Sequence, residues 1–232
     1  MAIDWKNKIN IQQTTFVDEK PFELGCIPNR QNTRFYAHRS KKNEIPCVMT
    51  EKHSTSLHTF CAINWYGKSE VRFYINDVPK KRGEGTKRVH LSINTDTTIE
   101  SFEKYLVPFL NRTKMESGKI IMDGARCHTS AKTRKWMDEN KIDYIPSGGA
   151  PLNVKYEYPP NSPDMNPIEL VFGYWQSQIL KRNPQNMGEL ISICKEEWEA
   201  IPLKLIQNSI NRLVKVMDWV YQHDGNFYCE KN

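Results

Sequence analysis

At 232 residues, with 38% hydrophobic and 11% aromatic content, the chain can bury a core of its own, which excludes a wholly disordered polymer. Its 33 Lys+Arg against 27 Asp+Glu give a net charge of +6 and an isoelectric point near 8.9, compatible with a polyanionic partner but not diagnostic of one. No apolar run approaches the roughly 18 residues of a membrane helix and residues 1–20 carry no signal-peptide core, so the expectation is a soluble, intracellular protein without membrane contact.

In chain order, the run Thr14 to Asp18 reads as an apolar β-prone strand that stops on an acid. The segments Arg34–His38, Leu57–Tyr66 and Val71–Ile75 are rich in β-branched and aromatic residues and read as three more strands, with Gly67-Lys68 as a hairpin turn. Residues 39–56 read as loop. Residues 76–90 are basic and glycine-containing and also read as loop, suited equally to touching another macromolecule or to simple solvation.

Thr97-Thr98-Ile99-Glu100 resembles a capping box ahead of a helix carried by Ile99, Phe102, Leu106 and Leu110, which Pro108 is expected to kink or shorten. Lys119–Met122 gives a fifth strand, Thr129 or Ser130 can cap a helix to about Asn140, and Ile142–Ile145 gives another short strand. The predicted order is ββββαβαβ. Residues 146–165 hold two glycines and five prolines and are expected to form a mobile loop within one domain spanning 1–232. Helices follow, with core stripes at Ile168, Phe172, Trp175 and Ile179; at Met187, Ile191, Cys194 and Trp198; and at Ile206, Ile210, Leu213 and Met217.

The six cysteines (Cys26, Cys47, Cys61, Cys127, Cys194, Cys229) form no C-x-x-C pair and lack the usual zinc spacings with histidine, so a reducing compartment with packed thiols is the simpler reading. Basic residues cluster at 39–42, Lys80-Lys81-Arg82, Lys87-Arg88, Lys132 to Lys135 and Lys181-Arg182. Each cluster suits a phosphate backbone and equally a wet surface.

Three acids stand at element ends. Asp18 closes the first strand, Asp123 closes the strand Ile120-Ile121-Met122, and Glu169 enters the first turn of a helix after Ser162-Pro163-Asp164-Met165-Asn166-Pro167-Ile168. Each has a plain structural alternative. Asn166 as N-cap, Pro167 at the first helical position and Glu169 three residues after the cap make a helix-start box, and Asp123-Gly124 makes a strand-end turn. Glu19 competes with Asp18, but neighbours in a strand point to opposite sides, and Asp18 is the preferred choice.

Taken in order, Phe16-Val17-Asp18-Glu19, Met122-Asp123-Gly124-Ala125-Arg126-Cys127-His128-Thr129-Ser130 and Ser162 to Glu169 resemble the catalytic motifs of mariner-superfamily DDE transposases. The likeness runs from about Val17 to Arg182. It implies an α/β, ribonuclease H-like mixed sheet flanked by helices, with additional C-terminal helices. It implies that Asp18, Asp123 and Glu169 are catalytic and hold two Mg²⁺ ions, with Mn²⁺ able to substitute, for attack on phosphorus by water or a DNA 3′ hydroxyl. Without metal, three converging carboxylates repel, so at least one pKa is expected to rise.

The same resemblance implies DNA as partner, both transposon ends and target, a homodimer assembled on that DNA, and nuclear localisation in a eukaryote. His128 falls where these transposases often carry a histidine, and is expected to touch DNA or the metal surroundings, or else to be a surface residue at a helix start. Asp164 is expected to shape its turn. Lys132, Arg134 and Lys135, with Lys80, Lys81 and Arg82, are the possible DNA contacts.

Two departures stand out: the interval between Asp123 and Glu169 is longer than is usual in mariner elements, with roughly 147–157 as an apparent insertion, and Gly124 stands where asparagine is common. Full-length members precede the catalytic domain with helix-turn-helix modules, so the expectation is a catalytic domain without them. The activity implied is metal-dependent DNA cleavage and strand transfer. The alternatives are a domesticated remnant that binds without cutting, or a structure-specific nuclease that never joins ends.

Overall fold

The computed structural model of the chain describes residues 10–24, 56–79, 86–145 and 162–223. The strand expected at Arg34–His38, Lys80, Lys81 and Arg82, residues 146–161 of the expected loop, and Cys26, Cys47 and Cys229 lie outside those residues. Strands β1 (Thr14–Glu23), β2 (Ser56–Asn64), β3 (Gly67–Lys68) and β4 (Arg72–Phe73) lead to a separate hairpin, β5 (Ile75–Pro79) with β6 (Thr86–His90). A helical segment follows, α1 (Thr95–Ser101) passing through the π-turn Phe102–Leu106 into α2 (Val107–Thr113). Strand β7 (Lys119–Ile121), helices α3 (Arg126–Thr129) and α4 (Ala131–Glu139) and strand β8 (Tyr144–Ile145) come next. Helices α5 (Pro167–Arg182), α6 (Met187–Ala200) and α7 (Leu203–Gln222) complete the described chain.

The main sheet has the order β3-β2-β1-β7-β8, with β4 also pairing with β2. Strand β1 is central, antiparallel to β2 and parallel to β7, which is parallel to β8. Its alternation builds two cores. Phe16 and Phe22 pack with α5, α6 and α7 through Phe172, Trp175, Trp198 and Ile210, whereas Val17 packs with Phe102, Leu106 and Phe109 of the α1–α2 segment and Met137 of α4. Phe16 and Val17 are both fully buried because helices cover both faces of the sheet. The rings of Phe22 and Trp175 meet edge to face at 4.5 Å, worth about 0.5–1.5 kcal/mol beyond their buried area.

Several expectations are corrected in detail. The β2–β3 hairpin turns at Trp65-Tyr66, since Asn64 already pairs with Gly67. Residues 76–79 and 86–90 belong to the β5–β6 ladder, not to a loop; the antiparallel partner supplies an order that their Asp, Pro and Lys content does not favour. The expected Val71–Ile75 strand changes partner at Tyr74, whose N–H donates to His58 in β2 while its C=O accepts from Leu91 after β6.

Helix α1 begins at Asn94, earlier than the Thr97 box. The Asn94 side chain accepts from the Asp96 and Thr97 N–H groups, and the Asn94 N–H donates to Thr97 Oγ1 at 2.9 Å. Pro108, lacking an N–H, is accommodated directly after the π-turn rather than ending the helix. On α6 the buried stripe is Leu190, Ile193, Cys194 and Trp198, with Met187 and Ile191 only partly covered. Within the expected 146–165 loop, Pro163–Met165 forms a 3₁₀ turn with Met165 buried. No helix among the described residues is long and apolar enough to cross a membrane.

Candidate catalytic site

The pairing of Phe16 with Ile121 fixes where two of the acids lie, because continuing both parallel strands by two residues sets Asp18 beside Asp123. β7 ends as Asp123 turns the chain, its Oδ1 accepting from the Ala125 N–H at 3.0 Å. That is the aspartate turn expected at Asp-Gly. It leaves the side chain at the end of the sheet, half exposed.

The third acid arrives on α5. Asn166 is its N-cap, with Oδ1 accepting from the Ile168 N–H at 3.4 Å, and Pro167 sits at the first helical position, where no donor is needed. The reciprocal half of a capping box is absent, since the Asn166 N–H goes to the Pro163 carbonyl at 3.1 Å. Glu169 is therefore not consumed by the cap. It lines a cleft of about 340 Å³ with Asp164, Asn166, Ser209 and Arg212. Asn166 also reaches across to the sheet, its Nδ2 donating to Asp18 Oδ2 at 2.9 Å.

Asp18 carries the electrostatic signature of the site. Burial, then the negative charges of Glu19, Glu169 and Asp123, push its carboxyl up to about 8, partly offset by the Glu19 N–H donating to Oδ1 at 2.8 Å. Among the described residues no three His, Cys, Asp or Glu side chains are gathered closely enough to hold a metal ion as they stand. Both Asp18 oxygens accept protein donors, and Asp123 Oδ1 is bound to His128 and Ala125. The donor set is nevertheless that of a hard divalent ion, all carboxylate oxygen, and a cation would relieve the repulsion that raises Asp18.

On the other face of β1 lies an arrangement that the sequence did not disclose. His128 has an almost wholly buried side chain, its Nδ1–H donating to Asp123 Oδ1 at 2.7 Å and its Nε2–H to Glu19 Oε1 at 3.2 Å. Burial opposes the charged imidazole, but Glu19, Asp123 and Cys127 outweigh it and hold the ring well above its ordinary range. Asp123 is correspondingly lowered: its burial acts upward, and the His128 bond and charge with the Ala125 N–H bring it down. His128 is thus buried and not a surface residue; it holds an acid. The adjacent Cys127 thiol is lowered too, its burial being outweighed by His128.

Lys132 and Lys135 are exposed on α4, paired with Asp96 at 2.5 Å and Glu139 at 3.7 Å. Such exposed pairs are worth little and leave both cations available to a phosphate. Arg134 on the same helix is half-buried and engaged, and Asp164 lies in the 3₁₀ turn before α5. Two residues were missed in role: Asn166, read as a cap, also holds Asp18, and Glu19, rejected as a ligand by alternation, partners His128. The period of two gave the second signal; nothing local encodes the first.

Residues 80–191 match the family model of the DDE superfamily endonucleases, a span that includes Asp123 and Glu169 but not Asp18. Over 123 residues the chain is 20% identical to the Tcb2 transposable-element transposase of Caenorhabditis briggsae, covering 53% of this chain and 41% of that protein. The Mos1 mariner paired-end complex with Mn superposes with a TM-score of 0.72 at 15% identity, over 98% of this chain and 60% of that one. The catalytic domain of Mos1 mariner transposase gives 0.66 at 14% identity, over 98% and 90%. The chain therefore has the ribonuclease H-like fold of the Mos1 catalytic domain, and the resemblance drawn from the three motifs is borne out. It spans less than two thirds of the Tcb2 protein and of the Mos1 chain in the paired-end complex.

Proposed function

We propose that this chain is the catalytic unit of a mariner-type DDE transposase, cleaving DNA and joining 3′ ends with the help of divalent metal. What supports the reading is the Asp18 carboxyl, pushed up to about 8 by its burial and by the charges of Glu19, Glu169 and Asp123, in a strand whose parallel register with β7 runs toward Asp123. These three would hold Mg²⁺ or Mn²⁺, which supplies charge neutralisation at phosphorus and a nucleophilic oxygen at neutral pH. Relatives in the same fold class have been solved with Mn and with Mg.

The chain's own residues set the stage. Parallel pairing of β1 with β7 places two carboxylates side by side, and Asn166 ties the start of α5 to Asp18, so Glu169 approaches as part of a helix and not of a loop. Lys132 and Lys135, exposed on α4, would grip phosphates. The partner would be DNA, transposon end and target, handled by two copies together, since Mos1 is known as a paired-end complex with transposon-end DNA. In a eukaryotic cell such an activity would be nuclear.

Nicking of supercoiled plasmid with Mg²⁺ or Mn²⁺, followed by incubation with a 3′-hydroxyl oligonucleotide, tests this. Metal-dependent nicks and joined products, both lost in Asp123→Asn and Glu169→Gln, are expected. Nicks without joined products would make it a nuclease; metal binding without nicks would overturn the catalytic reading.

A further inference from the structure

We propose that Glu19 and His128 form a positioning pair that aims the Asp123 carboxylate, with Glu19 serving the site through the imidazole and not as a metal ligand. The inference rests on the transposase reading only in taking Asp123 as a ligand. Asp123 stands just beyond the end of β7, half exposed, where no ladder bond fixes its side chain. Two donors do so instead, the His128 Nδ1–H and the Ala125 N–H, and both end on Oδ1. Oδ2 is the oxygen they leave for a cation.

The imidazole is itself fixed on every side. Its side chain is 1% exposed, its ring stacks on Phe102 with 6.2 Å between centroids and 21° between planes, and Nε2–H donates to Glu19 Oε1. With a carboxylate oxygen within hydrogen-bond distance of each ring nitrogen, the ring is held at both ends. Glu19 is anchored further in: Tyr74 Oη makes a long 3.5 Å contact to Oε1 and meets Ser101 Oγ at 3.0 Å, and Arg72 Nη1 donates to the same Ser101 oxygen at 3.0 Å. The result is a continuous polar chain from Asp123 through His128, Glu19, Tyr74 and Ser101 into helix α1.

Alternation along β1 keeps Glu19 on this side. Val17 and Glu19 share the face that packs on α1–α2, whereas Phe16 and Asp18 share the face of α5. Glu19 could become a ligand beside Glu169 only if the strand slipped by one residue, which would drag Phe16 and Val17 out of their cores.

The test is Mn²⁺ binding by calorimetry to the whole chain, with plasmid nicking read separately. Partners that orient ligands typically contribute 10–100-fold to metal affinity, so His128→Ala should raise the Mn²⁺ dissociation constant about tenfold or more at matched folding. His128→Asn puts an amide nitrogen where Nδ1 stands and should recover most of that loss; His128→Gln reaches the Nε2 position instead and should not. A purely structural histidine would show no such ordering. Equal or tighter binding by His128→Ala, recovery by Gln and not Asn, or a wild-type chain that binds no Mn²⁺ would each overturn the proposal. If the variants fail to fold, long-range ¹H–¹⁵N spectra of the wild type decide, since a bare Nδ1 on His128, unable to donate to Asp123, would overturn the proposal and a hydrogen on Nδ1 would support it. A wild type that binds Mn²⁺ but never nicks DNA refutes the transposase reading while the ordering of the variants still judges the pair.

Discussion

Asp18 and Glu19 are consecutive acids in one strand, yet they inhabit opposite environments. Asp18 faces α5, tied to Asn166 and pushed up to about 8 by burial and three other carboxylates. Glu19 faces α1–α2, where the buried His128 meets it and carries its influence to Asp123. A period of two in a strand covered on both sides is enough to give two consecutive acids wholly different neighbours. Residue type alone does not assign a role; the face does.

The largest expected effects fall on the crowded side. Asp123→Asn and Glu169→Gln should each cut metal-dependent nicking by about a hundredfold or more, with little change in folding. Retained nicking in both would dissolve the site. Next come the two packing faces. Trp175→Ala beneath α5 and Phe102→Ala beneath His128 should each cost about 3–5 kcal/mol in urea unfolding. Where the fold survives, they should separate: loss of Trp175 disturbs α5 and Glu169, and loss of Phe102 disturbs His128 and Asp123.

pH sharpens the contrast further. Asp18 is raised, so the metal-free fold binds a proton that the unfolded chain gives up, and stability should fall as pH rises from about 4 to about 8. His128 is also raised, so its contribution is complete below about 6.5 and is lost as pH climbs through its higher folded value. Asp123 is lowered and works the other way, contributing above about 4 and losing that contribution on further acidification. Thermal melts should show Asp18→Asn flattening the fall between about 4 and 8, and added Mg²⁺ should reverse it; an unchanged profile would contradict the crowding of Asp18. The smallest effect is on α4, where Lys132→Ala should change stability by less than about 1 kcal/mol but lower the log-log salt slope of DNA binding by about one unit.

Much of this was legible in the sequence. The N-cap at Asn166, the Ser130 cap and the stripes of α5 and α7 follow from local periodicity and capping chemistry. The β5–β6 ladder was not, because its order comes from pairing rather than from the preferences of Asn76, Asp77, Lys87 or Arg88. The role of His128 was hidden for a related reason: Glu19 lies 109 residues away in the chain, and only the β1–β7 register brings them together. Helix-start histidines are usually wet; this one is buried by Phe102, which only the packed α1–α2 segment supplies.

The most direct measurement sets the two neighbours against each other: Mn²⁺-dependent plasmid nicking by Asp18→Asn and by Glu19→Gln, at matched folded fractions. Asp18→Asn should be inactive at every Mn²⁺ concentration, while Glu19→Gln, which keeps an oxygen to accept from His128, should stay within about tenfold of wild type. An active Asp18→Asn beside an inactive Glu19→Gln would reverse the assignment and contradict the division of labour across β1.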